Sequence, residues 1–322
     1  MKTQPHLFPF KNILLPLLII SFTATLYSCK FDKKERKPEE PKIENEQVIN
    51  ILTENMDFQM ADTIPSGWNT FRYKNASTQT HFFLIDKYPE GITLDSVKAR
   101  VLPPFDKGMK LINEGNAEEG FAQFGKLPAW FMEMKNYGGS GLISPGLVTE
   151  TTVKLNPGYY IIECYVKMSN GVWHTSMGMA TEVIVSETNS GNIEPKADIA
   201  ITISSTEGIV FNDSISKGPH TFSVFYKDQI AHENFIGHDV NLAKLGDNAD
   251  LDEINNWMDW SKPKGLIEPA PKGITFLGGV NNMIAGDTGY FTVNLEPGRY
   301  ILISEVPNPA SKNMLKTFIV SE

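Results

Sequence analysis

The chain has 322 residues, with 29 Lys and Arg against 38 Asp and Glu and a net charge of -9 at pH 7. An acidic surface repels nucleic acid, and no basic stripe with interleaved aromatic residues offsets this charge, so nucleic-acid binding is excluded. The length suggests two domains of ordinary size.

The first feature along the chain is the apolar run "NILLPLLIISFTAT" after Lys11. The run is too short and too interrupted for a membrane span, and it predicts the central part of a signal peptide over residues 1–28. It ends in Leu26-Tyr27-Ser28-Cys29, which resembles the lipobox of bacterial lipoproteins. The resemblance implies that Cys29 is lipidated and anchors the protein in a membrane. The alternative is an uncleaved anchor in which Cys29 has no role.

Residues 29–50 are dense in charge and almost free of apolar side chains. Such a segment cannot bury enough surface to fold, so a flexible tether is predicted. Lys30 stands where an aspartate could retain a lipoprotein in the inner membrane. We therefore expect a lipid-anchored protein of the cell envelope, in the outer membrane, on its periplasmic or surface side.

An internal repeat divides the remaining chain. "ADTIPSGWNTFRYKN" matches "NDSISKGPHTFSVFY", and "LNPGYYII" matches "LEPGRYIL". The offset of the first pair places His81 on His232. A repeat of this length predicts two copies of one fold, over residues 51–187 and 198–322. The segment between them, 188–197, is rich in turn-forming residues and is predicted to be a linker.

Within each copy, the regular segments are mostly β-branched or aromatic and predict strands. Two tight turns, Asn156-Pro157-Gly158 and Glu296-Pro297-Gly298, join consecutive strands. Helical character is confined to the longer inserts, Leu94–Lys135 and Leu242–Lys262. The predicted fold class is mainly β, with two tandem antiparallel β-sandwiches that each carry a partly helical insertion.

The segment that follows the first tight turn is similar to a known family. "LNPGYYIIECYV", a later His174 and "GMATEVIV" resemble the C-terminal signature of cupredoxins, and "NASTQTHFFLID" resembles the strand that delivers their first histidine. Both repeats then resemble the tandem cupredoxin-like (blue-copper fold) domains of bacterial lipoproteins. The resemblance implies Greek-key sandwiches.

It also implies a mononuclear type 1-like copper site in domain 1 only, with His81, Cys164 and His174 as ligands and Met179 in the axial position. Met177 would point to the opposite face of an extended segment. A lone thiol is unusual in an oxidising compartment, and a metal would protect it. The alternative is that Cys164 is a small buried core residue and His174 belongs to a surface loop.

The second repeat departs from this ligand pattern. It keeps His232 and Met314, but Ser304 replaces the cysteine and Pro309 stands where the second histidine is expected. A serine hydroxyl is a poor copper ligand at neutral pH. We expect a degenerate, metal-free site in domain 2.

The histidine count bears on enzymatic function. Multicopper oxidases and copper nitrite reductases need further histidines for a second copper centre, and beyond His6 and the two candidate ligands the chain has only His220, His232 and His238. We expect a protein that is not an enzyme. The leading hypothesis is copper binding in domain 1 for one-electron transfer or copper handling, with a redox or envelope protein partner. The alternative is a metal-free binding or scaffold module of the cell envelope.

Overall fold

The computed structural model describes residues 47–322, which belong to one compact unit. The predicted signal peptide, the lipidation site Cys29 and most of the predicted tether lie outside the described residues. The first strand begins at Val48, so the end of the segment predicted as tether is already part of the fold. Among the described residues, no helix is both long enough and apolar enough to cross a bilayer.

Strands dominate both repeats. In repeat one they are β1 Val48–Thr53, β2 Thr63–Asn75, β3 Leu84–Lys87, β4 Lys135–Gly139, β5 Val148–Leu155, β6 Gly158–Glu163 and β7 Ala180–Asn189. In repeat two they are β8 Ile199–Ser204, β9 Gly208–Phe211, β10 Ile215–Ser216, β11 Gly218–Tyr226, β12 Val240–Leu245, β13 Ile274–Val280, β14 Thr288–Leu295, β15 Gly298–Ile303 and β16 Leu315–Ser321.

The α-helices lie in the two inserts, as predicted. They are α1 Leu94–Arg100, α2 Leu102–Asn113 and α3 Ala117–Phe124 in repeat one and α4 Leu251–Trp257 in repeat two. Asp250 caps α4 by accepting hydrogen bonds from the backbone of its first turn. The second insert was predicted too long, because Leu242 to Leu245 belong to β12.

Each repeat forms two layers from equivalent strands. In repeat one, β4-β3-β6-β7 and the start of β2 make one layer, while the rest of β2 with β1 and β5 makes the other. In repeat two, β13-β12-β15-β16-β10 and β9-β8-β11-β14 are the corresponding layers. The long strand β2 therefore belongs to both layers of repeat one. In repeat two, β10 belongs to one layer and β11 to the other.

The two repeats share one sheet. Strand β5 pairs antiparallel with β14, which joins the layers that contain β2 and β11. The buried apolar side chains of both repeats also form one continuous cluster. The mainly β sandwich class with helical insertions is confirmed, but the sheets are mixed, since β1–β2, β2–β7, β8–β11 and β10–β16 pair in parallel. The division into two domains stays a prediction.

The predicted tight turns occur at the same place in both repeats. Gly158 and Gly298 have φ of 150° and 154°, which glycine adopts without a Cβ clash. The hydroxyls of Tyr160 and Tyr300 each donate to the backbone carbonyl four residues earlier, at 2.8 Å. These bonds close the turn that leads into β6 and β15, the strands before Cys164 and Ser304.

Candidate metal centre

Three of the four predicted ligands meet in the interior of repeat one. His81, Cys164 and His174 are fully buried, and one potential ligand atom from each lies within 4.8 Å of the others. This is the one such group of three or more metal-binding side chains found among residues 47–322. Cys164 is 83 positions and His174 is 93 positions after His81 in the sequence, so the fold brings these side chains together.

His81 is held by the backbone of Ile143. It precedes β3 and exchanges two hydrogen bonds with Ile143, at 3.2 Å from its amide and 2.7 Å to its carbonyl. Gly139 of β4 pairs with Leu84 of β3, and a Cβ at Gly139 would lie 2.0 Å from the carbonyl oxygen of Phe83. The start of β3, just after His81, is thus held by a strand pairing that tolerates only glycine at one position.

The other two residues are fixed by the chain between β6 and β7. The Cys164 amide donates to the Met179 carbonyl at 3.1 Å, and the Met179 amide donates to the His174 carbonyl at 2.9 Å. The Thr175 hydroxyl donates to the Cys164 carbonyl at 2.8 Å. These bonds link Cys164, His174 and Met179 directly. The positions of the three residues are therefore fixed although a long loop separates Cys164 from His174.

The three ligand atoms form a compact triangle. Cys164 Sγ lies 3.7 Å from Nδ1 of His81 and 3.7 Å from Nδ1 of His174, and the two nitrogens are 3.1 Å apart. The point equidistant from the three atoms is about 2.0 Å from each, close to the metal–nitrogen distance of about 2.0–2.1 Å and a little short of the roughly 2.3 Å of zinc–thiolate bonds. Two imidazoles and a thiolate in a trigonal set are the donors of a blue-copper site.

Burial controls the protonation of these side chains. Desolvation lowers the pKa of His81 to about 3, helped by the neighbouring His174, and lowers that of His174 to about 4. Both imidazoles are therefore neutral at pH 7 and offer a lone pair. Desolvation raises the pKa of Cys164 to about 12, so a metal that binds it as thiolate must displace its proton.

The outer nitrogens of both imidazoles are buried. Nε2 of His81 and Nε2 of His174 are buried and have no hydrogen-bond partner among the described residues. A buried polar atom without a partner is costly, so these two nitrogens need an explanation. With Nε2 protonated, each Nδ1 presents its lone pair to the triangle.

Met179 and Met177 differ in how far they are exposed to solvent. Met179 is fully buried, whereas the side chain of Met177 is 52% exposed. The main chain of Met179 bonds to both Cys164 and His174. Its role as the axial ligand stays a prediction.

Repeat two supports the loop between Cys164 and His174. The backbone of Lys167 accepts from the Glu268 amide at 2.8 Å and donates to the Leu266 carbonyl at 2.7 Å. Its ammonium group is buried and donates to the carbonyls of Trp260 and Lys262, at 2.8 Å each. The candidate centre thus belongs to repeat one but is braced by repeat two.

The equivalent position in repeat two contains no thiol. The Ser304 amide donates to the Met314 carbonyl, and the Met314 amide donates to the Pro309 carbonyl, which reproduces the bonds among Cys164, Met179 and His174. Ser304 Oγ donates to Asp239 Oδ1 at 3.0 Å instead of facing a ligand triangle. The backbone bonds therefore place Ser304, Pro309 and Met314 at the positions of Cys164, His174 and Met179, as predicted.

The predicted match of His81 with His232 is wrong. Leu84 pairs with Glu163 and Asn241 pairs with Ile303, the residues just before Cys164 and Ser304. Counting back three positions along each strand aligns His81 with His238. His232 lies on an inserted loop, where its Nε2 is 3.1 Å from Nδ1 of His238.

Sequence reasoning missed a pair of carboxyl groups beside the centre. Asp86 on β3 and Glu163 on β6 are diagonal neighbours across paired strands, and burial together with their mutual repulsion raises the pKa of Asp86 well above its usual range. Burial also raises the pKa of Glu163. The sequence could have indicated this pair through acidic residues within apolar strands, since Asp86 ends "FFLID" and Glu163 precedes Cys164.

Comparisons with known proteins give structural similarity only. No family model matches the chain, and no curated protein sequence matches it. The chain is similar to auracyanin B (16% identity, 40% of this chain and 94% of that chain, TM-score 0.29) and to auracyanin A, a blue copper protein from Chloroflexus aurantiacus (22%, 44% and 98%, TM-score 0.26). It is also similar to copper nitrite reductase from Nitrosomonas europaea (13%, 85% and 93%, TM-score 0.22). At these TM-scores the similarities carry no argument about function, which depends on the side chains of the centre.

Proposed function

We propose that this protein binds one copper ion through Nδ1 of His81, Nδ1 of His174 and Sγ of Cys164, and that it serves one-electron transfer or copper handling. The observation that carries this proposal is the buried triangle of two nitrogens and one sulfur, with edges of 3.1, 3.7 and 3.7 Å. A copper ion would supply the one-electron redox couple.

The residues of this chain would do the rest. Burial of all three side chains keeps water from the thiolate and from the imidazole nitrogens. The backbone bonds that join Cys164, His174 and Met179 hold the donors in place before a metal arrives, which limits rearrangement between oxidation states. The proposed role is that of an electron or copper carrier. Among residues 47–322, no hydrogen bond connects His220, His232 or His238 to the three ligand residues.

Copper loading of the full chain tests the proposal. With Cys164 reduced, one equivalent of Cu(II) should give an intense visible charge-transfer band, and Cys164→Ser should abolish it because Cys164 is the one cysteine among residues 47–322. Met179→Leu should keep the colour and shift the reduction potential. Met177→Leu is the matched control, because this exposed methionine should affect neither property.

The outcomes separate the competing hypotheses. Stoichiometric but colourless copper binding would contradict a type 1-like centre. If copper never binds the correctly folded protein with Cys164 reduced, the metal-free scaffold module of the cell envelope replaces this proposal.

The cellular setting is proposed from the sequence. The lipobox pattern at Leu26-Tyr27-Ser28-Cys29 and the charged segment after it support a protein that is tethered to a membrane by lipid on Cys29. Such a tether would hold the copper-binding fold near the membrane surface, where a redox or envelope protein partner could reach it.

A further inference from the structure

Repeat two contains a pair of histidines that the proposed copper centre does not use. His238 lies just before β12 and is fully buried, and His232 is half-buried on the loop between β11 and β12. Nε2 of His232 is 3.1 Å from Nδ1 of His238. His238 also occupies the position in repeat two that His81 occupies in repeat one. The fold therefore places this pair where repeat one has the first ligand of its candidate centre.

The ring of His238 is held in the orientation of a metal ligand. Its Nε2 donates to the backbone carbonyl of Asp228 at 2.8 Å, and the Asp228 carboxylate lies 3.6 Å from the same nitrogen. The His238 amide donates to the side chain of Gln229 at 2.8 Å, and Gln229 donates back to the His238 carbonyl at 2.9 Å. Because the proton is fixed on Nε2, Nδ1 carries a lone pair that faces His232. Metal-binding imidazoles usually donate their other nitrogen to a carbonyl or a carboxylate in this way.

The loop that carries His232 is closed by its own backbone. The His232 amide donates to the Ile236 carbonyl at 2.7 Å. Between them, Asn234 and Phe235 have φ of 64° and 67°, a left-handed conformation that is uncommon for a bulky residue. Such a conformation persists where the surrounding contacts fix it. The loop therefore holds the ring of His232 opposite His238.

Both imidazoles are neutral at pH 7. Desolvation lowers the pKa of His232, with help from the neighbouring His238 and Lys312, and desolvation also lowers the pKa of His238. Asp228 and Glu233 act on the pKa of His232 in the opposite direction to Lys312, so acidic groups offset the lysine at this pair. Neutral imidazoles offer lone pairs to a metal ion.

The separation of the two nitrogens suits one metal ion. Two nitrogens bound to the same ion at about 2.0–2.1 Å are about 2.9 Å apart at a right angle and about 3.3 Å apart at a tetrahedral angle. The observed 3.1 Å between His232 Nε2 and His238 Nδ1 lies between these values. The pair therefore needs little movement to bind an ion in either geometry.

We propose that Nε2 of His232 and Nδ1 of His238 bind a divalent transition-metal ion such as Zn(II) or Cu(II). Imidazole is a preferred donor for these ions. In the metal-free protein, Nε2 of His232 donates its proton to Nδ1 of His238. On binding, this proton moves to Nδ1 of His232, so both imidazoles stay neutral and no net proton is released.

This site differs from the centre in repeat one. It contains no thiol, and the half-buried His232 leaves the remaining coordination positions to water from the solvent. The expectation of a metal-free repeat two concerned the position of Ser304, which lies outside this pair. The site does not depend on the copper proposal, so its test uses the full chain with Cys164→Ser, in which the thiolate of the first centre is absent.

Isothermal titration of this protein with zinc chloride tests the proposal. Adding His232→Gln should lower the affinity for Zn(II) at least about tenfold, since even the loss of an outer-sphere partner costs roughly 10–100-fold in metal affinity. His220→Gln is the matched control and should leave the affinity unchanged. Its ring nitrogens already bond to Asp198 and to the Ser216 carbonyl.

A measurement without a histidine substitution keeps the test informative if the His232→Gln protein does not fold. In proton–nitrogen correlation spectra of the imidazole rings, Zn(II) should shift Nε2 of His232 and Nδ1 of His238 and leave His220 unchanged. Three outcomes would overturn the proposal: no binding of Zn(II) at millimolar concentration, full affinity retained by His232→Gln, or shifts confined to His81 and His174.

Discussion

At the scale of single residues, Lys167 is the most unusual charged group outside the metal centre. Its side chain is fully buried, its ammonium group lies 5.4 Å from the ring centre of Trp173, and it donates to two backbone carbonyls of repeat two. Burial lowers the pKa of Lys167 to about 7, although Asp259 and Glu305 oppose the shift. The charged form is thus less favourable in the folded state than in the unfolded chain.

This pKa has a defined consequence for stability. Between about pH 7 and pH 10.5 the unfolded chain binds more protons at this lysine than the folded protein does, so this group's contribution to the free energy of unfolding rises with pH across that window. Lys167→Met removes this contribution and takes away the donor that Lys167 supplies to the Trp260 carbonyl, at a cost of roughly 1–3 kcal/mol. The difference in unfolding free energy between wild type and Lys167→Met should therefore increase from neutral to alkaline pH.

Urea denaturation at several pH values measures that difference. Lys264→Met, an exposed lysine in the same segment of repeat two, is the control and should give a difference that does not depend on pH. A flat profile for Lys167→Met would show that Lys167 keeps an ordinary pKa in the folded protein.

At the scale of elements, the pairing of β5 with β14 decides how the repeats behave together. Tyr290, Phe291 and Thr292 pair with Thr152, Thr151 and Glu150, and the loop before His174 is bonded to repeat two through Lys167. Each repeat has its own full set of strands, but the repeats share a sheet through β5 and β14. Repeat two also holds the loop of repeat one that precedes His174.

We expect the full chain to unfold in one cooperative transition, because separating the repeats would expose paired strand edges and a shared apolar core. Differential scanning calorimetry and intrinsic tryptophan fluorescence, followed on the same sample, should report the same midpoint. Two resolved transitions would instead support independent domains on either side of the segment 188–197. The strands and tight turns were predictable here because they depend on local patterns, whereas the pairing between repeats depends on edges far apart in sequence.

At the scale of the whole molecule, the proposed lipid on Cys29 would determine where the folded region resides. Cys29→Ala removes the only thiol that the lipobox pattern could present for acylation, and the variant should accumulate as unprocessed precursor or as soluble protein. Membrane fractionation with an antibody against the folded region measures this. Variant protein that still fractionates with membranes as the mature form would contradict the lipoprotein assignment. Cys164→Ser is the matched control, since it removes the other cysteine and should leave fractionation unchanged.

By itself, the sequence determined the strands, the two tight turns and the repeat, which follow from local periodicity and from glycine and proline at turns. The three side chains that meet at the candidate centre were expected from the resemblance to the cupredoxin signature. Only the tertiary structure decided that His238 and not His232 is the counterpart of His81, because an insertion changes the offset while strand pairing preserves the register. The carboxyl pair of Asp86 and Glu163 and the shared sheet were also decided there. They arise where residues far apart in sequence approach through space, and no local pattern encodes that distance.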